Sequence, residues 1–470
     1  MDPFVVIGGD AAGLSAASKA KREQPERDVV VFERGTWVSY AHCGMPYYVK
    51  GEVDSLADLL SLTPAEVRER DIDLRREHEV VDVDTDRGTV TVEGPEGSLE
   101  QPYGHLLVAT GAHATTDPIE GFDLSGSFTM HSMDAAAAVR AFLTPPDEPV
   151  RGADIEYVDA ERVAAFAGRE PPETAAIVGG GYVGVEMAEA FAAHGLDIHL
   201  FQRPDRLLPP FGEDVAEVVA DELREEGVEL HLSTEVAAIE GDGEVEAVRA
   251  NGTTHDVDIA VVGIGVRPNT NLLTDTPVEC GTSGAVVVDE FGETTVEGVY
   301  AAGDCSESRH VVTGESDWVP LGLTANREGR AVGATVAGAP MPVGGIAGTA
   351  VVKAFEQGCG RTGILDHERA RDEGFEPVSE TITAGSRSGY YPGGAETTVT
   401  LCADRESGRL LGGSLVGTDR AAIRIDTVAT ALEAGMTVGE LERSDLAYAP
   451  PFSPVWDPVL VAAKVLSGEL

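Results

Sequence analysis

Two stretches of this 470-residue chain repeat one local plan, and that repetition limits the fold more than any other feature of the sequence. In the first, Phe4-Val5-Val6-Ile7 is a short apolar run rich in β-branched residues, and Gly8-Gly9-Asp10-Ala11-Ala12-Gly13 is a turn. Leu14 to Lys21 is Ala-rich and helical, and Asp28 to Phe32 is the next apolar run. Strand, glycine turn, helix and strand make a βαβ unit, whose helix N-terminus offers unpaired N–H groups to a pyrophosphate. The second unit runs from Ala175-Ala176-Ile177-Val178 through Gly179-Gly180-Gly181-Tyr182-Val183-Gly184 to Ile198-His199-Leu200-Phe201. Two such units predict an α/β protein with two Rossmann-like dinucleotide-binding domains.

The units differ where they would meet a ligand. In the first, Gly8, Gly9, Ala12 and Gly13 form the turn, but Asp10 stands at its central glycine position. A carboxylate there is unfavourable beside phosphates unless it points away. Glu33 follows Gly13 by about twenty residues, where an acid can hold a ribose 2′-hydroxyl, and Arg34 comes next. The adenosine end of FAD fits this unit. The second unit keeps all three glycines, Gly179, Gly181 and Gly184, and ends its second strand with Gln202 and Arg203. With no acid there to repel a 2′-phosphate, NADPH is favoured over NADH, although Arg203 could equally be a solvated surface charge.

Composition narrows the partners. The chain carries 81 acidic and 34 basic residues, a formal charge of −47, which excludes nucleic acid and anionic membrane as general partners. Such repulsion is screened at molar salt, where the Debye length is about 3 Å, so a salt-adapted, halophilic cytoplasmic protein is expected. No apolar stretch approaches a bilayer span. The five cysteines, at 43, 280, 305, 359 and 402, show neither close pairing nor metal-ligand spacing. A reducing compartment is implied and no metal is expected.

Further segments carry the chemistry. Leu106-Leu107-Val108-Ala109-Thr110-Gly111 is a buried strand with a small-residue turn, and Gly298-Val299-Tyr300-Ala301-Ala302-Gly303-Asp304 delivers a carboxylate to a strand's C-terminal end. These two segments resemble the second and third flavin-binding motifs of the pyridine nucleotide-disulfide oxidoreductase family. The resemblance implies that Ala109, Thr110, Gly111, Gly303 and Asp304 help to hold FAD, with Asp304 on the ribityl chain. The strand ending at Gly265, before Arg267-Pro268, is similar to the one leading out of the family's nicotinamide domain.

Ser39-Tyr40-Ala41-His42-Cys43-Gly44-Met45-Pro46-Tyr47-Tyr48 follows the first unit. Family members with a redox-active cystine carry a second cysteine at the position of Tyr48, so Cys43 has no local partner. The decapeptide is similar to the single-cysteine branch, closest to coenzyme A-disulfide reductases and related to NADH oxidases and persulfide reductases. A free thiol is mostly protonated at neutral pH, and His42 is the adjacent candidate for lowering its pKa.

The resemblance extends to the C-terminus. Thr349 to Phe355, Tyr390-Tyr391-Pro392-Gly393 and Tyr448-Ala449-Pro450-Pro451-Phe452-Ser453 resemble the family's α+β dimerisation domain. It implies a homodimer in which Tyr391 and Tyr448 reach the flavin and thiol of the other subunit. Ser39, Lys19 and Arg22 are the substrate-binding candidates, the last two as cations for substrate phosphates. The domains expected are a FAD domain at 1–122 and 285–340, a nicotinamide domain at 123–284 and a dimerisation domain at 341–470. The Pro-, Gly- and acid-rich segment near 144–174 is expected to be an extended inter-domain insertion with a short helix over Ala160–Ala167.

The activity implied is reduction of a small disulfide, foremost coenzyme A disulfide, by NADPH through FAD and a mixed disulfide at Cys43. The alternatives are an oxygen or peroxide reductase cycling a Cys43 sulfenic acid, a persulfide or polysulfide reductase, and an electron-donating or redox-sensing flavoprotein. Family persulfide reductases often carry a rhodanese-like extension, and the end of this chain at Leu470 ranks that activity behind disulfide reduction.

Overall fold

The hydrophobic run Phe4–Ile7 is buried at all four positions because it is the middle strand of a five-stranded parallel sheet. Val29–Glu33 and Asp73–Arg76 lie on one side of it, His105–Val108 and Val299–Ala301 on the other. A computed structural model describes residues 2–153 and 155–470. Helices Ala11–Glu23 and Gly322–Val336 pack together on one face, so closely that a Cβ at Gly329 would lie 2.1 Å from the carbonyl oxygen of Ala12. A three-stranded antiparallel meander, spanning Glu79–Asp84, Thr89–Gly94 and Gly97–Pro102, adds to this half.

The second unit repeats the plan. Thr174–Val178 is flanked in parallel by Asp197–Gln202 and Ile259–Val262, and Glu229–Leu232 extends the sheet beyond Asp197–Gln202. Its own meander runs through Val236–Glu240, Ala247–Ala250 and Thr253–Asp256. The C-terminal region is different in kind. Its five strands are all antiparallel, ordered Ala350–Ala354, Gln357–Gly363, Leu410–Gly417, Glu396–Asp404 and Pro377–Gly385. Helices Ile425–Glu433 and Pro458–Ser467 bury apolar stripes against this sheet. The fold class is therefore α/β with two doubly wound halves and an α+β C-terminal domain.

The short helix Met45–Lys50 sets the position of the functional site. It packs on helix Tyr182–Ala193 of the second unit, with Met45, Tyr48 and Val49 in the same apolar cluster as Phe191 and Met133. Tyr48 is 1% exposed, and its hydroxyl donates to the Arg151 carbonyl at 2.9 Å. The segment after Thr144 is thus docked rather than extended. Leu56 N donates to Gly152 O, Thr36 Oγ1 donates to Tyr157 O, and Phe166 packs between Phe128 and Phe142. Its helix spans Ala160–Ala164.

Buried Glu189 on helix Tyr182–Ala193 joins three regions. Its carboxylate pairs with Lys50 Nζ at 2.6 Å, with Lys353 Nζ, and accepts from the Phe355 N–H at 3.2 Å. Two of the chain's five lysines therefore converge on one acid, which fixes the Cys43 helix, the second unit and the C-terminal domain together. Among the described residues, no helix is long and apolar enough to cross a membrane.

Candidate functional site

A single cleft of about 2250 Å³ runs between the two parallel sheets and receives both glycine turns. Gly8, Gly9 and Ala12 border it with Glu33 and Arg34 at one end, and Ala109, Thr110, Gly111, Gly303 and Asp304 farther along. Gly179, Gly181, Gln202, Arg203 and Gly265 line its other arm, while Ser39, His42 and Cys43 lie where the arms join. Gly13 and Gly184 sit behind the turns. A Cβ on either would strike the carbonyl oxygen of the turn's first glycine, at 1.9 Å and 1.8 Å respectively, which is why each helix can approach its strand closely.

The two turns are held alike. Glu33 Oε2 accepts from the Gly9 N–H at 2.8 Å and its Oε1 from Gly35 N–H at 2.7 Å. Gln202 Oε1 accepts from the Gly180 N–H at 2.9 Å, while its amide nitrogen donates to Arg206 O at 3.1 Å. Burial raises the pKa of Glu33, an effect that the two amides oppose. Space remains above Gly181, Gly111 and Gly265, where an added Cβ would meet no atom within 4 Å. Two dinucleotides fit this arrangement, each with its pyrophosphate at a helix N-terminus.

Asp10 is the departure, and its geometry explains its tolerance. Its Oδ1 accepts from the Tyr40 N–H at 3.1 Å and its Oδ2 meets His42 Nε2 at 2.6 Å. Both oxygens are thus engaged by the cysteine loop. Asp10 and Gly181 both have extended backbones, so the central position itself does not require glycine's left-handed freedom. His42 also stacks on Tyr40, with ring centroids 4.2 Å apart.

Cys43 lies in the turn His42–Gly44, immediately before helix Met45–Lys50. It is exposed to the cleft yet ringed by protein atoms, and this desolvation raises its pKa, with the carboxylates of Glu186 and Asp304 adding to the effect. His42 is not among the groups that set it. Glu186, from helix Tyr182–Ala193, accepts from the Tyr47 hydroxyl at 3.0 Å. Burial, helped by the neighbouring Glu189, pushes its pKa up to about 7 despite that bond. Asp304 is raised mainly by burial, with Asp10 raising and His42 lowering it. The loop carrying Asp304 rests on buried Glu328, which accepts from Gly303 N–H at 2.6 Å and from the hydroxyls of Ser306 and Ser308. Glu186 and Glu328 are absent from the sequence reading. For Glu186 the signal available was an acid inside an apolar helix segment, whereas Glu328, between Arg327 and Arg330, carries no such signal.

The cations divide. Arg22 lines the cleft together with Ser18 and Arg70, whose guanidinium donates to Ser18 Oγ at 3.1 Å. Lys19 instead pairs with Glu23 at 2.5 Å and does not line the cleft. Ser39 holds φ at 51°, a left-handed strain at the loop entrance. Tyr391 and Tyr448 are exposed on the C-terminal domain and face outside the cleft of their own chain. Tyr448 makes its hydroxyl contact with Tyr390, at 3.4 Å, rather than with Tyr391.

Family comparison settles the class. The pyridine nucleotide-disulphide oxidoreductase model matches residues 2–329, and the model of that family's dimerisation domain matches 349–458. The chain belongs to the pyridine nucleotide-disulphide oxidoreductase family. It is 41% identical to an NAD(P)H coenzyme A polysulfide/persulfide reductase of Pyrococcus horikoshii, over 98% of each chain. It is 27% identical, over 96% of each chain, to a coenzyme A disulfide reductase of Staphylococcus haemolyticus. The solved structure of an NAD-dependent persulfide reductase from A. fulgidus superposes with a TM-score of 0.91 at 32% identity, covering 99% of this chain and 83% of that one. The protein is a flavin-dependent NAD(P)H oxidoreductase that carries the family's dimerisation domain. This chain and the Pyrococcus persulfide reductase match over 98% of each other's length, so length does not rank that activity behind disulfide reduction.

Proposed function

We propose that this enzyme reduces a sulfur–sulfur bond of a coenzyme A-bearing substrate, foremost coenzyme A disulfide, with NADPH as donor. The observation that carries this reading is Cys43: a lone thiol opening into the junction of the two dinucleotide arms, with Tyr48 buried where a second cysteine would be needed for a local cystine. Bound FAD supplies the relay that moves an electron pair from nicotinamide to sulfur. Asp304, the Thr110–Gly111 turn and Glu33 hold it, and the second turn with Arg203 holds NADPH. Arg203 is exposed at the cleft wall, and Gln202 spends both ends of its amide on backbone, so no carboxylate opposes a 2′-phosphate there.

The sulfur chemistry balances at Cys43. Its thiolate attacks one substrate sulfur, the S–S bond breaks, and the first thiol leaves with a proton. Two electrons originating from NADPH and one proton from solvent would then cleave the mixed disulfide, releasing the second thiol and restoring the Cys43 thiolate. Tyr391 and Tyr448, presented from the dimerisation domain, would supply a phenolic hydrogen bond to a leaving sulfur in the partner's cleft. Arg22 and Arg70 are the cations that would meet substrate phosphates, with Ser39 at the entrance. All five cysteines are free, which suits a reducing cytoplasm.

A second reading, attack of Cys43 on the sulfane sulfur of a coenzyme A persulfide, is favoured by the Pyrococcus relative. One experiment tests both. Cys43→Ser should keep FAD, keep flavin reduction by NADPH, and lose at least about 10³-fold in turnover with coenzyme A disulfide and persulfide alike. Preserved turnover with either substrate would overturn the scheme. For the native enzyme, a higher kcat/KM on the persulfide would select the second reading, and rapid oxygen consumption without any disulfide would select an oxidase.

A further inference from the structure

Away from the cleft, three of the chain's eleven histidines meet at one point. Alternation along Asp197–Gln202 turns His199 and Phe201 to one face of the parallel sheet, and the register places Glu229 beside His199 and His231 beside Phe201. His255 comes from the meander strand Thr253–Asp256, which lies over that face. Ligating atoms of the three imidazoles all lie within 4.8 Å of one another, the one such cluster among the described residues. Neither the three histidines nor Glu229 lines the dinucleotide cleft, although Phe201 borders it.

We propose that His199, His231 and His255, closed by Glu229, bind one divalent transition ion of the zinc, cobalt or nickel class. Ligand atoms about 2.0–2.1 Å from a tetrahedral ion stand roughly 3.3 Å apart. His199 Nδ1 and His231 Nε2 are 3.1 Å apart, and Glu229 oxygens lie 3.5 Å and 3.4 Å from those same nitrogens. The imidazoles of His199 and His231 therefore set two of the four corners; the carboxylate of Glu229 presents a different oxygen to each of them, and small rotations of it and of His255 supply the other two. Phe201 fixes the plane of His231 by stacking on it, with centroids 4.5 Å apart and ring planes 11° apart. Imidazole with one carboxylate suits borderline divalent ions rather than magnesium or calcium. Four protein ligands leave no open position, so the ion acts as a clamp between the sheet and its meander, not as a catalyst.

The test uses FAD-loaded, full-length protein in high salt, stripped with chelator, with Cys43 and Cys280 both replaced by serine to silence the exposed thiols. Zn²⁺ is titrated by calorimetry and bound metal is counted by elemental analysis. The expected result is one ion per chain and a raised thermal midpoint, with affinity falling at least about 100-fold in His255→Asn and in His231→Asn while flavin colour is retained. Absence of Zn²⁺ binding in the parent, or binding undiminished in His255→Asn, would overturn the site. His255 is at the meander surface, so that variant decides if His231→Asn does not fold.

Discussion

The two βαβ units perform one mechanical task with opposite electrostatics. Around the first turn stand Asp10, Glu33, Asp304 and Glu328, and each is engaged by hydrogen bonds from a neighbouring loop or turn or lies on a loop held by such bonds. Around the second, the matching positions hold Gly181 and Gln202, which carry no charge. The contact that braces the turn is nonetheless the same, from the last residue of the second strand to the N–H of the turn's second residue: Glu33 to Gly9, Gln202 to Gly180. Bracing the turn therefore needs an acceptor, whereas its charge is free to be chosen by the ligand. A carboxylate suits a bare ribose, and an amide admits a phosphorylated one.

The largest expected effect breaks each turn separately. Gly8 and Gly179 both hold positive φ, at 112° and 111°, and a Cβ would fall 2.1 Å from Ala109 O and 2.3 Å from Gly263 O. Gly8→Ala should yield protein without flavin absorbance. Gly179→Ala should remain yellow but lose at least about 100-fold in the rate of flavin reduction by NADPH, measured by stopped flow. Retained flavin in the first variant would show that the turn can shift, and the equivalence of the units would fail.

Next in size is exchange of the bracing residue. Gln202→Glu keeps the acceptor for Gly180 but adds charge, so the ratio of kcat/KM for NADPH over NADH should fall about tenfold, equivalent to ~1.4 kcal/mol. A ratio that does not move would mean that the strand end does not face the 2′-position.

Acidity gives a third handle, on the half of the molecule that contains the first unit. Burial pushes Glu328 up to about 7, above the 4.5 of the unfolded chain. Between those values the folded state binds more protons than the unfolded one, so this group's contribution to stability falls as pH rises through the window. Glu328→Gln removes the titration. The thermal midpoint of the native protein minus that of the variant should therefore decline from pH 5 to pH 7 and level off above it; a flat difference would mean that Glu328 is ionised throughout.

The smallest effect belongs to Asp10. Asp10→Gly restores the glycine of the second unit and removes one carboxylate from the flavin arm, so FAD retention at low salt should strengthen by no more than a few-fold, read by flavin release on dilution. Weakened retention would show that the Asp10–His42 contact shapes the arm more than its charge disturbs it.

What could be read in the sequence was local. Each glycine turn with the apolar run before it, and the strand that delivers Asp304, fits within a window of roughly ten residues, so the fold class and family follow from short windows. The rest depends on distant pairings. His199, His231 and His255 come from separate strands, and only sheet register brings them together. Glu186 and Glu189 interrupt an apolar helix, yet nothing local reveals that Tyr47 and Lys50 lie opposite them. The segment beyond Thr144 has the composition of a linker, but Arg151, Gly152 and Tyr157 dock through backbone carbonyls that any residue could supply. The hydroxyl contact of Tyr448 with Tyr390 likewise depends on loop geometry.

Glu189 has a mechanical consequence. Swinging the nicotinamide half outward would strip this acid, 5% exposed, of lysines held by two other domains and leave an anion short of countercharge in a dry setting, a loss of several kcal/mol. Wide hinge opening is thereby discouraged. Exchange of coenzyme and product along the trough, without parting the three regions, is the course that keeps both lysine pairs intact.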